Sequence, residues 1–276
     1  MMLSFAKMHG LGNDFLVLDA ISQDVLINEL NISELAHRHR GVGFDQLLLI
    51  ESPKSPHVDF NYRIFNADGS EVEQCGNGAR CFAHYVKMLG LTWKQKIKVS
   101  TKKGLIRIKY GANDSVSVNM GVAQWEPEQI PIATNEEQES YSLDTEKGTF
   151  EVICVSMGNP HAIVKVSNVD DYDVSQAGKA IAEHPFFPEG VNVNFLEVID
   201  DKTIKLRVFE RGVGETLACG SGACASVIVG RKKQWLDAQV TVQLKGGSLS
   251  IHAPAIHKPI HMSGPAEFVF FGQIEL

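Results

Sequence analysis

Two cysteines, one in each half of the chain, lie within a repeated stretch of sequence. Residues 62–79 and 206–223 align without a gap at a constant offset of 144, and seven of their eighteen positions are identical. The identical positions include Cys75 and Cys219, each followed by Gly-x-Gly-Ala. An offset of about half the chain is too long for the period of a solenoid and predicts two duplicated domains.

Each of these cysteines immediately precedes a segment with helical apolar spacing, at 76–89 and at 220–232. A thiol at a helix N-terminus lies beside unpaired backbone N–H groups and the positive end of the helix dipole, so its pKa is expected to fall. The glycines that follow let a substrate carboxylate approach the same N–H groups. The pattern therefore predicts two reactive thiols that hold one substrate from both sides of an interdomain cleft.

A single Cys-Gly-x-Gly-Ala motif is as typical of a buried structural turn, because free cysteines are among the most buried residue types. Polar neighbours decide between the two interpretations. Asn66, Asp68 and Glu71 accompany the first motif, and Glu210, Arg211 and Glu215 accompany the second. These surroundings favour catalysis by Cys75 and Cys219. The remaining cysteines lack such neighbours and are expected to be packing residues: Cys81, Cys154 and Cys224.

The remaining patterns predict a mixed α/β (α+β) chain that is mostly strand. Asn31 and Glu34 form a capping box for a helix over 32–40 that ends at Gly41. Strands at 58–65 and 202–209 lead into the repeated motif, and strand-turn-strand patterns occupy 96–110 and 239–253. We expect an N-terminal half at 1–120, a polar linker at 121–148 and a C-terminal half at 149–276, whose tail is a candidate to return to the N-terminal half.

Composition excludes several functional classes. The 276 residues carry 26 Lys and Arg against 33 Asp and Glu, a net charge of −7 without a basic run, so we expect no nucleic-acid partner. The apolar runs are shorter than the roughly 20 residues that span a bilayer, and the N-terminus lacks the apolar segment of a signal peptide. We therefore expect no membrane partner and a cytoplasmic location.

The cysteines and histidines also argue against disulfides and metals. Five unevenly spaced cysteines without a C-x-x-C pair do not form a disulfide framework or a zinc ribbon, and the ten histidines contain no H-E-x-x-H pattern. No metal site is predicted. His161 is distinct because it follows an Asn159-Pro160 turn that mirrors the Asn13-Asp14 turn of the first half. A loop histidine at a repeated polar turn is a reasonable partner for a thiol.

At these residues the chain resembles the diaminopimelate epimerase family. The resemblance rests on the two cysteine motifs, from Asn66 to Cys81 and from Phe209 to Cys224, and covers essentially the whole chain. It continues through KMHGLGNDF (7–15), GVGFDQ (41–46), MGNPH (157–161), VNVNF (191–195) and GPAEFVF (264–270).

The resemblance implies a fold, a reaction and a set of site residues. The implied fold has two pseudo-symmetric domains, each a β-barrel-like sheet around a central helix, with the active site in the interdomain cleft. The implied reaction interconverts LL- and meso-diaminopimelate for lysine and cell-wall precursor synthesis, with no cofactor and with the two thiols as acid and base. His161 and Glu210 would adjust the pKa values of these thiols. The implied substrate-binding residues are Asn13, Gln46, Asn66, Gly76, Asn77, Asn159, Asn192, Glu210, Arg211, Gly220 and Ser221.

One position departs from the family pattern, and two alternatives stay open. Phe270 stands where well-known members have a tyrosine associated with a homodimer contact, so a homodimer is a less firm expectation here. A sister isomerase acting on proline, hydroxyproline or another small amino acid would keep the same chemistry. A non-enzymatic amino-acid-binding or thiol-redox module would also explain a cleft and cysteines, but not their pairing in duplicated halves.

Overall fold

The computed structural model describes residues 2–72, 75–102, 104–111 and 115–275. The chain divides into two compact units. The first unit comprises Met1–Asn119 and Ser263–Leu276, and the second unit comprises Met120–Met262. The C-terminal segment therefore returns to the first unit, and the second unit is one continuous stretch of chain.

Strands dominate both units and surround a few helices. The strands, in chain order, are β1 (Met2–Gly10), β2 (Asn13–Asp19), β3 (Gln46–Glu51), β4 (Phe60–Asn66), β5 (Glu71–Val72), β6 (Lys96–Thr101), β7 (Gly104–Tyr110), β8 (Val116–Asn119), β9 (Tyr141–Thr145), β10 (Gly148–Ser156), β11 (Pro160–Lys165), β12 (Asn192–Asp200), β13 (Thr203–Glu210), β14 (Gly214–Thr216), β15 (Gln239–Leu244), β16 (Gly247–His252), β17 (His261–Gly264) and β18 (Glu267–Glu275). The α-helices are α1 (Ile32–Ala36), α2 (Gly76–Met88), α3 (Val174–Ala182) and α4 (Gly220–Lys232), and short 3-10 turns occupy Ile27–Glu29 and Pro127–Gln129.

In the first unit a strongly curved set of strands encloses α2. Strand β1 pairs antiparallel with both β2 and β18, β2 runs parallel to β3, and β3 pairs antiparallel with β4. Strand β4 continues parallel to β6, which forms antiparallel pairs through β7 to β8. Helix α2 packs against β1, β2, β3, β8 and β18, so its residues from Asn77 to Ala83 are buried. This arrangement is a sheet around a central helix.

The second unit repeats the same succession of pairings. Strands β10 and β11 are antiparallel, β11 and β12 are parallel, and β12 and β13 are antiparallel. Strand β13 then runs parallel to β15, which pairs antiparallel with β16. Helix α4 packs against β10, β11, β12 and β16. The predicted mixed α+β fold with two duplicated domains is confirmed.

Local sequence signals place the elements around the two repeated motifs. The predicted strands and hairpins are present within one or two residues of their expected bounds, and both central helices begin at the glycine after the repeated cysteine. Helix α1 is shorter than the expected 32–40. Asn31 caps it by accepting from the Glu34 N–H, as expected, but the helix ends at Ala36. The His37 ring accepts the backbone N–H groups of His39 and Arg40, which closes a separate turn in place of further helix.

The segment expected to be a linker belongs to the second unit. Within 121–148, Ile130, Ile132, Tyr141 and Leu143 are buried in the same apolar cluster as residues of β10 and β12. Strand β9 in this segment pairs antiparallel with β10. Alternate apolar residues within a polar segment thus form an edge strand. Within the residues that the structure describes, no helix has the length and apolar character needed to cross a bilayer.

Candidate active site

In the first unit, Cys75 caps the N-terminus of the central helix. The chain runs from β4 through the short β5 to Cys75, and an Arg63–Glu71 ion pair with contacts of 2.9 and 3.0 Å ties these strands together. The backbone N–H of Gly78 donates to the Cys75 Sγ at 3.4 Å, so the sulfur satisfies one of the N–H groups that a helix start leaves unpaired. The sulfur therefore lies against the first turn of α2, as the sequence predicts.

Three predicted substrate-binding residues lie at the same edge of the first unit. Asn13 begins β2, Gln46 begins β3 and Asn66 ends β4, and the strand register pairs Gln46 with Asn66. Gln46 Nε2 donates to Asn66 Oδ1 at 3.0 Å, and Asn66 Nδ2 donates to Ser70 Oγ at 3.1 Å. Side chains separated in sequence thus form one polar group at the strand ends.

Asn13 connects this edge to the thiol. Its Oδ1 accepts from the Cys75 thiol at 3.7 Å and from Asn77 Nδ2 at 3.3 Å. Its Nδ2 donates to Asp45 Oδ2 at 3.0 Å. The amide therefore lies beside the sulfur in a fixed orientation, and the structure brings Asn13, Asn77 and Cys75 together.

A group of charged residues that the sequence analysis missed holds Asn13 in place. Arg38 bonds both carboxylate oxygens of Asp14 at 2.8 and 2.9 Å and also bonds Asp45 at 2.8 Å. Lys7 lies 2.6 Å from Asp14. Although burial acts to raise the pKa of Asp14, the bonds and charges of Arg38 and Lys7 hold this pKa well below its usual range. The signal was present in the sequence, since Asp14 and Asp45 directly adjoin two of the predicted residues.

Arg80 is a further residue near Cys75 that the sequence analysis did not predict. It is fully buried in the first turns of α2. Its guanidinium donates to Asn77 Oδ1 at 3.0 Å and to the carbonyl oxygen of Pro265 at 3.1 Å. Pro265 lies in the C-terminal segment that returns to the first unit. Arg80 therefore fixes the amide of Asn77 and links it to that segment.

We expect Gly78→Ala to destabilise the protein by about 1–3 kcal/mol, because overpacking a filled core forces side chains and backbone to shift. An added Cβ would lie 2.5 Å from the Tyr62 hydroxyl and 3.1 Å from Leu48 Cδ2. The Tyr62 hydroxyl is buried and has no hydrogen-bond partner among the described residues. Tyr62→Phe should therefore be neutral or stabilising alone, and it should relieve most of the Gly78→Ala effect. Urea unfolding of the two single variants and the double variant measures this; equal Gly78→Ala effects in both backgrounds would contradict it.

In the second unit, Cys219 caps α4 in the equivalent position. The sulfur is buried and lies 3.5 Å from Ser221 Oγ. Burial is the main cause that raises the pKa of the Cys219 thiol well above its ordinary value, and the negative charge of Glu210 raises this pKa further. Hydrogen bonds from Ser221 and the Gly222 backbone act in the opposite direction. The expectation that the helix N-terminus lowers this pKa was therefore wrong for Cys219, because desolvation exceeds the effect of the helix dipole.

Glu210 is held close to this thiol at the end of β13. Thr216 Oγ1 donates to Glu210 Oε1 at 2.5 Å. An Arg207–Glu215 ion pair with contacts of 2.6 and 3.0 Å joins β13 to β14 and repeats the Arg63–Glu71 pair of the first unit. The Glu210 carboxylate acts on the Cys219 thiol by its charge and a hydrogen bond, so Glu210 lies beside one of the two thiols with which the family resemblance associates it.

His161 reaches the thiol only through intervening side chains. The ring is fully buried on β11, and its Nε2 lies 3.1 Å from Asn159 Oδ1. Asn159 Nδ2 donates to Ser221 Oγ at 3.3 Å, and Ser221 adjoins the sulfur. Burial first, and then the charge of Arg211, lowers the pKa of His161 to about 3, so the folded protein holds a neutral imidazole.

Asn192 and Arg211 form the remaining polar contact of the second unit. Asn192 begins β12, beside His161 in the strand register. Its Oδ1 accepts the backbone N–H of Arg211 at 2.9 Å, and its Nδ2 donates to the Pro160 carbonyl at 3.3 Å. The Arg211 side chain is exposed and donates to the Glu189 carbonyl at 2.6 Å. Its guanidinium group is thus displayed next to the buried residues of this site.

The first turns of both helices supply the other predicted binding positions. Gly76 and Asn77 open α2, and Gly220 and Ser221 open α4. Backbone N–H groups of a first helical turn have no carbonyl partner within the helix, so they are suited to bind a carboxylate. The remaining cysteines are buried, and burial raises the pKa values of two of them, Cys81 and Cys154.

A family model described as diaminopimelate epimerase matches residues 5–126 and 153–269, which include both cysteine motifs. The chain belongs to the diaminopimelate epimerase family. It is therefore an isomerase of the epimerase type. Each matched segment contains one of the two repeated cysteine motifs, so the family match agrees with the internal repeat.

Solved structures with the same fold carry several different descriptions. A PhzF-family phenazine biosynthesis protein from Bacillus anthracis is 17% identical, with full coverage of both chains and a TM-score of 0.70. A hydroxyproline epimerase from Agrobacterium vitis, with bound trans-4-hydroxy-L-proline, is 15% identical over 99% of this chain and 91% of that chain, with a TM-score of 0.74. A probable proline racemase from Agrobacterium radiobacter K84 is 16% identical over 99% and 93%, with a TM-score of 0.73. At these identities the similarity shows the fold alone.

Proposed function

We propose that this protein interconverts LL- and meso-diaminopimelate without a cofactor, using the thiols of Cys75 and Cys219 as base and acid. The observation that carries the proposal is that each of the two duplicated units caps its central helix with a cysteine. Family membership supports the reaction class. The product would supply lysine and cell-wall precursor synthesis.

Inversion at an α-carbon explains why two thiols are needed. A base removes the α-proton from one face, and an acid returns a proton to the other face, so the configuration changes while the number of protons stays the same. One cysteine starts as thiolate and the other as thiol, and these roles exchange when the reaction runs backwards. The raised pKa of Cys219 supports its role as the proton donor in the resting protein.

The carbanion-like transition state requires electrostatic stabilisation. Helix dipoles alone contribute about 0.3–1 kcal/mol, and the N–H groups at the starts of α2 and α4 would add hydrogen bonds to the substrate carboxylate as charge develops. The low dielectric around the buried Cys219 strengthens these interactions. Pre-oriented donors at both helix starts would thus lower the barrier without a metal or a carbonyl cofactor.

The polar residues at the strand ends support a substrate with a second charged end. Asn13, Gln46 and Asn66 present amide groups in the first unit, and Arg211 presents an exposed guanidinium in the second. Proline has no distal ammonium or carboxylate for such groups to bind. Diaminopimelate carries both, so these residues favour it over a small cyclic amino acid.

Exposed apolar side chains support the expected homodimer. Val269, Phe270 and Phe271 of β18 are 50%, 44% and 56% exposed, and the Phe270 ring packs edge-on against Phe5 at 6.1 Å. Apolar side chains grouped on an outer strand are typical of a protein interface. We propose that a second copy of the chain covers them, with Phe270 contributing area but no phenol hydrogen bond.

We expect LL-diaminopimelate incubated with the protein in heavy water to gain α-deuterium and to yield the meso isomer without added cofactor. Proton exchange with solvent accompanies inversion because the returning proton comes from a thiol that equilibrates with water. Chelators and carbonyl reagents should have no effect, whereas a thiol-alkylating agent should abolish both exchange and inversion. Mass spectrometry and chiral chromatography measure the two outcomes.

Parallel incubations identify the substrate. L-proline and trans-4-hydroxy-L-proline should gain no deuterium under the same conditions. Exchange with either of them, and none with diaminopimelate, would assign the protein to the alternative substrate class. Turnover that depends on added pyridoxal phosphate would contradict the two-thiol mechanism.

A further inference from the structure

Asn194 of β12 is a fully buried amide whose orientation its neighbours determine. Its Nδ2 lies 3.3 Å from the Ala162 carbonyl oxygen and 3.2 Å from the Asn192 carbonyl oxygen, and 3.1 Å from His161 Nδ1. Backbone carbonyls only accept, so the NH2 group of the amide must face them and the ring together. His161 Nδ1 is therefore an acceptor, and the proton of the neutral ring lies on Nε2.

This tautomer gives a direction to the hydrogen bonds that lead to the thiol. The Nε2–H of His161 donates to Asn159 Oδ1, and Asn159 Nδ2 donates to Ser221 Oγ at 3.3 Å. The Ser221 oxygen accepts from Asn159 and lies 3.5 Å from the Cys219 Sγ, and either of these two atoms can be the donor. When Ser221 is the donor, every bond in this chain donates toward the sulfur.

The first unit shows that the fold does not require these polar residues. Strand register pairs Phe15 with Gln46 in the first unit and His161 with Asn192 in the second. Leu48 lies two residues after Gln46 in β3, and Asn194 lies two residues after Asn192 in β12, so Leu48 is the counterpart of Asn194. Both side chains also pack against a glycine of the central helix. Leu48 lies against Gly78 and Asn194 Oδ1 lies against Gly222, and these two glycines are equivalent in the repeat. An apolar Phe15 and Leu48 pair thus fills the same place in the same fold.

The hydrogen bonding of His161 and Asn194 is also incomplete. Asn194 Oδ1 is buried and has no hydrogen-bond partner in the described part of the chain. A buried polar atom without a partner is unfavourable relative to an apolar side chain of similar volume. Packing alone would therefore select the leucine found in the first unit, and the asparagine requires another explanation.

We propose that Asn194 is a positioning residue, which holds His161 in its Nε2–H tautomer and thereby keeps the Ser221 hydroxyl proton available for Cys219. The significance of that donor rests on the proposed function. When the Cys219 proton passes to the substrate α-carbon, the sulfur keeps the electron pair and becomes a thiolate. A thiolate only accepts, so the Ser221 hydroxyl donates to it and stabilises it, with no movement of the Ser221 oxygen or of Asn159.

Two substitutions at this position test the tautomer directly. Asn194→Asp keeps the volume but replaces the donor beside Nδ1 by an acceptor, and Asn194→Leu introduces the residue of the first unit. In ¹⁵N-histidine-labelled protein, ring ¹⁵N–¹H correlations should show His161 protonated on Nε2 in the wild type and on Nδ1 in Asn194→Asp. Asn194→Leu should lose the exclusive preference for Nε2. Comparison with His161→Phe assigns the signals among the ten histidines.

Ser226→Ala serves as the matched control. It also removes a buried polar group, but this hydroxyl lies in α4 and outside the hydrogen bonds that connect Asn194 to Cys219. It should leave the tautomer and the kinetics unchanged. In both Asn194 variants kcat is expected to fall by about tenfold to a hundredfold with a small change in KM, since misplaced groups act on the transition state. The limb of the kcat profile that reports Cys219 ionisation should move to higher pH, and a purely structural role would not move it.

The outcomes separate this inference from the proposed function. Retention of the Nε2–H tautomer in both Asn194 variants overturns the inference, whichever substrate the enzyme uses. A changed tautomer with unchanged kcat and pH profile overturns the positioning role. Failure of the wild type to epimerise diaminopimelate would contradict the proposed substrate, while the spectra of the labelled proteins would still decide how the ring is held.

Discussion

Cys75→Ala and Cys219→Ala are each expected to lower the rate of epimerisation by at least about 10²–10⁴-fold. A single acid or base group typically contributes this factor, and inversion needs one group on each face, so neither thiol replaces the other. Initial rates from the LL and from the meso isomer measure the loss in both directions. Deuterium incorporation into recovered substrate shows whether the surviving thiol still exchanges a proton on its own face.

The other cysteines of the same helices provide matched controls. Cys81 lies about one and two-thirds turns beyond Cys75 in α2, and Cys224 lies about one and a half turns beyond Cys219 in α4. Both thiols are fully buried, so Cys81→Ala and Cys224→Ala should lower stability by about 1 kcal/mol or more while the folded enzyme keeps its activity. Near-normal rates in either Cys75→Ala or Cys219→Ala would show that the duplicated motif is structural.

Acidification should destabilise the fold steeply through His161. In the folded protein the pKa of His161 is lowered from 6.5 to about 3 by burial, with a contribution from Arg211. Below pH about 6.5 the His161 ring therefore binds a proton in the unfolded chain but not in the folded protein. The free energy of unfolding should fall by up to about 1.4 kcal/mol per pH unit between pH about 6.5 and about 3. Urea unfolding at a series of pH values measures this slope.

The variant His161→Phe/Asn194→Leu isolates the histidine from the acidic residues that also titrate. It installs the pair found at the equivalent places of the first unit, Phe15 and Leu48, so the core should remain filled. Above pH about 4.5 the difference in slope between wild type and variant should be the contribution of His161 alone. Equal slopes would mean that the imidazole is protonated in the folded protein.

Local patterns predicted the elements around the two repeated motifs but not strands such as β1–β3 and β10–β12. The duplicated motif placed a helix start at Cys75 and at Cys219 because the capping residue, the glycines and the apolar spacing are neighbours in sequence. Strand and hairpin bounds followed for the same reason. Helix α3, capped by Asp173, was not predicted, and β9 lay within the expected linker. The signal for α3 was present in the sequence, because Val174, Ala177 and Ile181 recur at helical spacing after an Asp cap. Strand β9 has only five residues, and its pairing with β10 defines it.

The positions of Cys75 and Cys219 at the helix starts were predictable, but the electrostatics around them were not. A parallel pairing of β11 with β12 brings Asn192 and Asn194 to His161, and no local signal encodes that pairing. The pKa of Cys219 depends on how far burial exceeds the helix dipole, which contributes about 0.3–1 kcal/mol. Burial is a property of the whole unit, so the sequence alone suggested the wrong direction of the shift.

The division of the chain into a continuous unit and a discontinuous unit affects the order in which strands can pair during synthesis. The second unit is continuous from Met120 to Met262, whereas β1 of the first unit has its antiparallel partner β18 at the other end of the chain. Closing such a long loop is entropically costly and slow, and a nascent chain presents β1 long before β18 exists. Until β18 arrives, β1 retains an unpaired edge next to β2, the kind of edge that promotes association between unfinished chains. The enzyme's exposure to aggregation during synthesis therefore depends on how quickly the residues of β18 leave the ribosome.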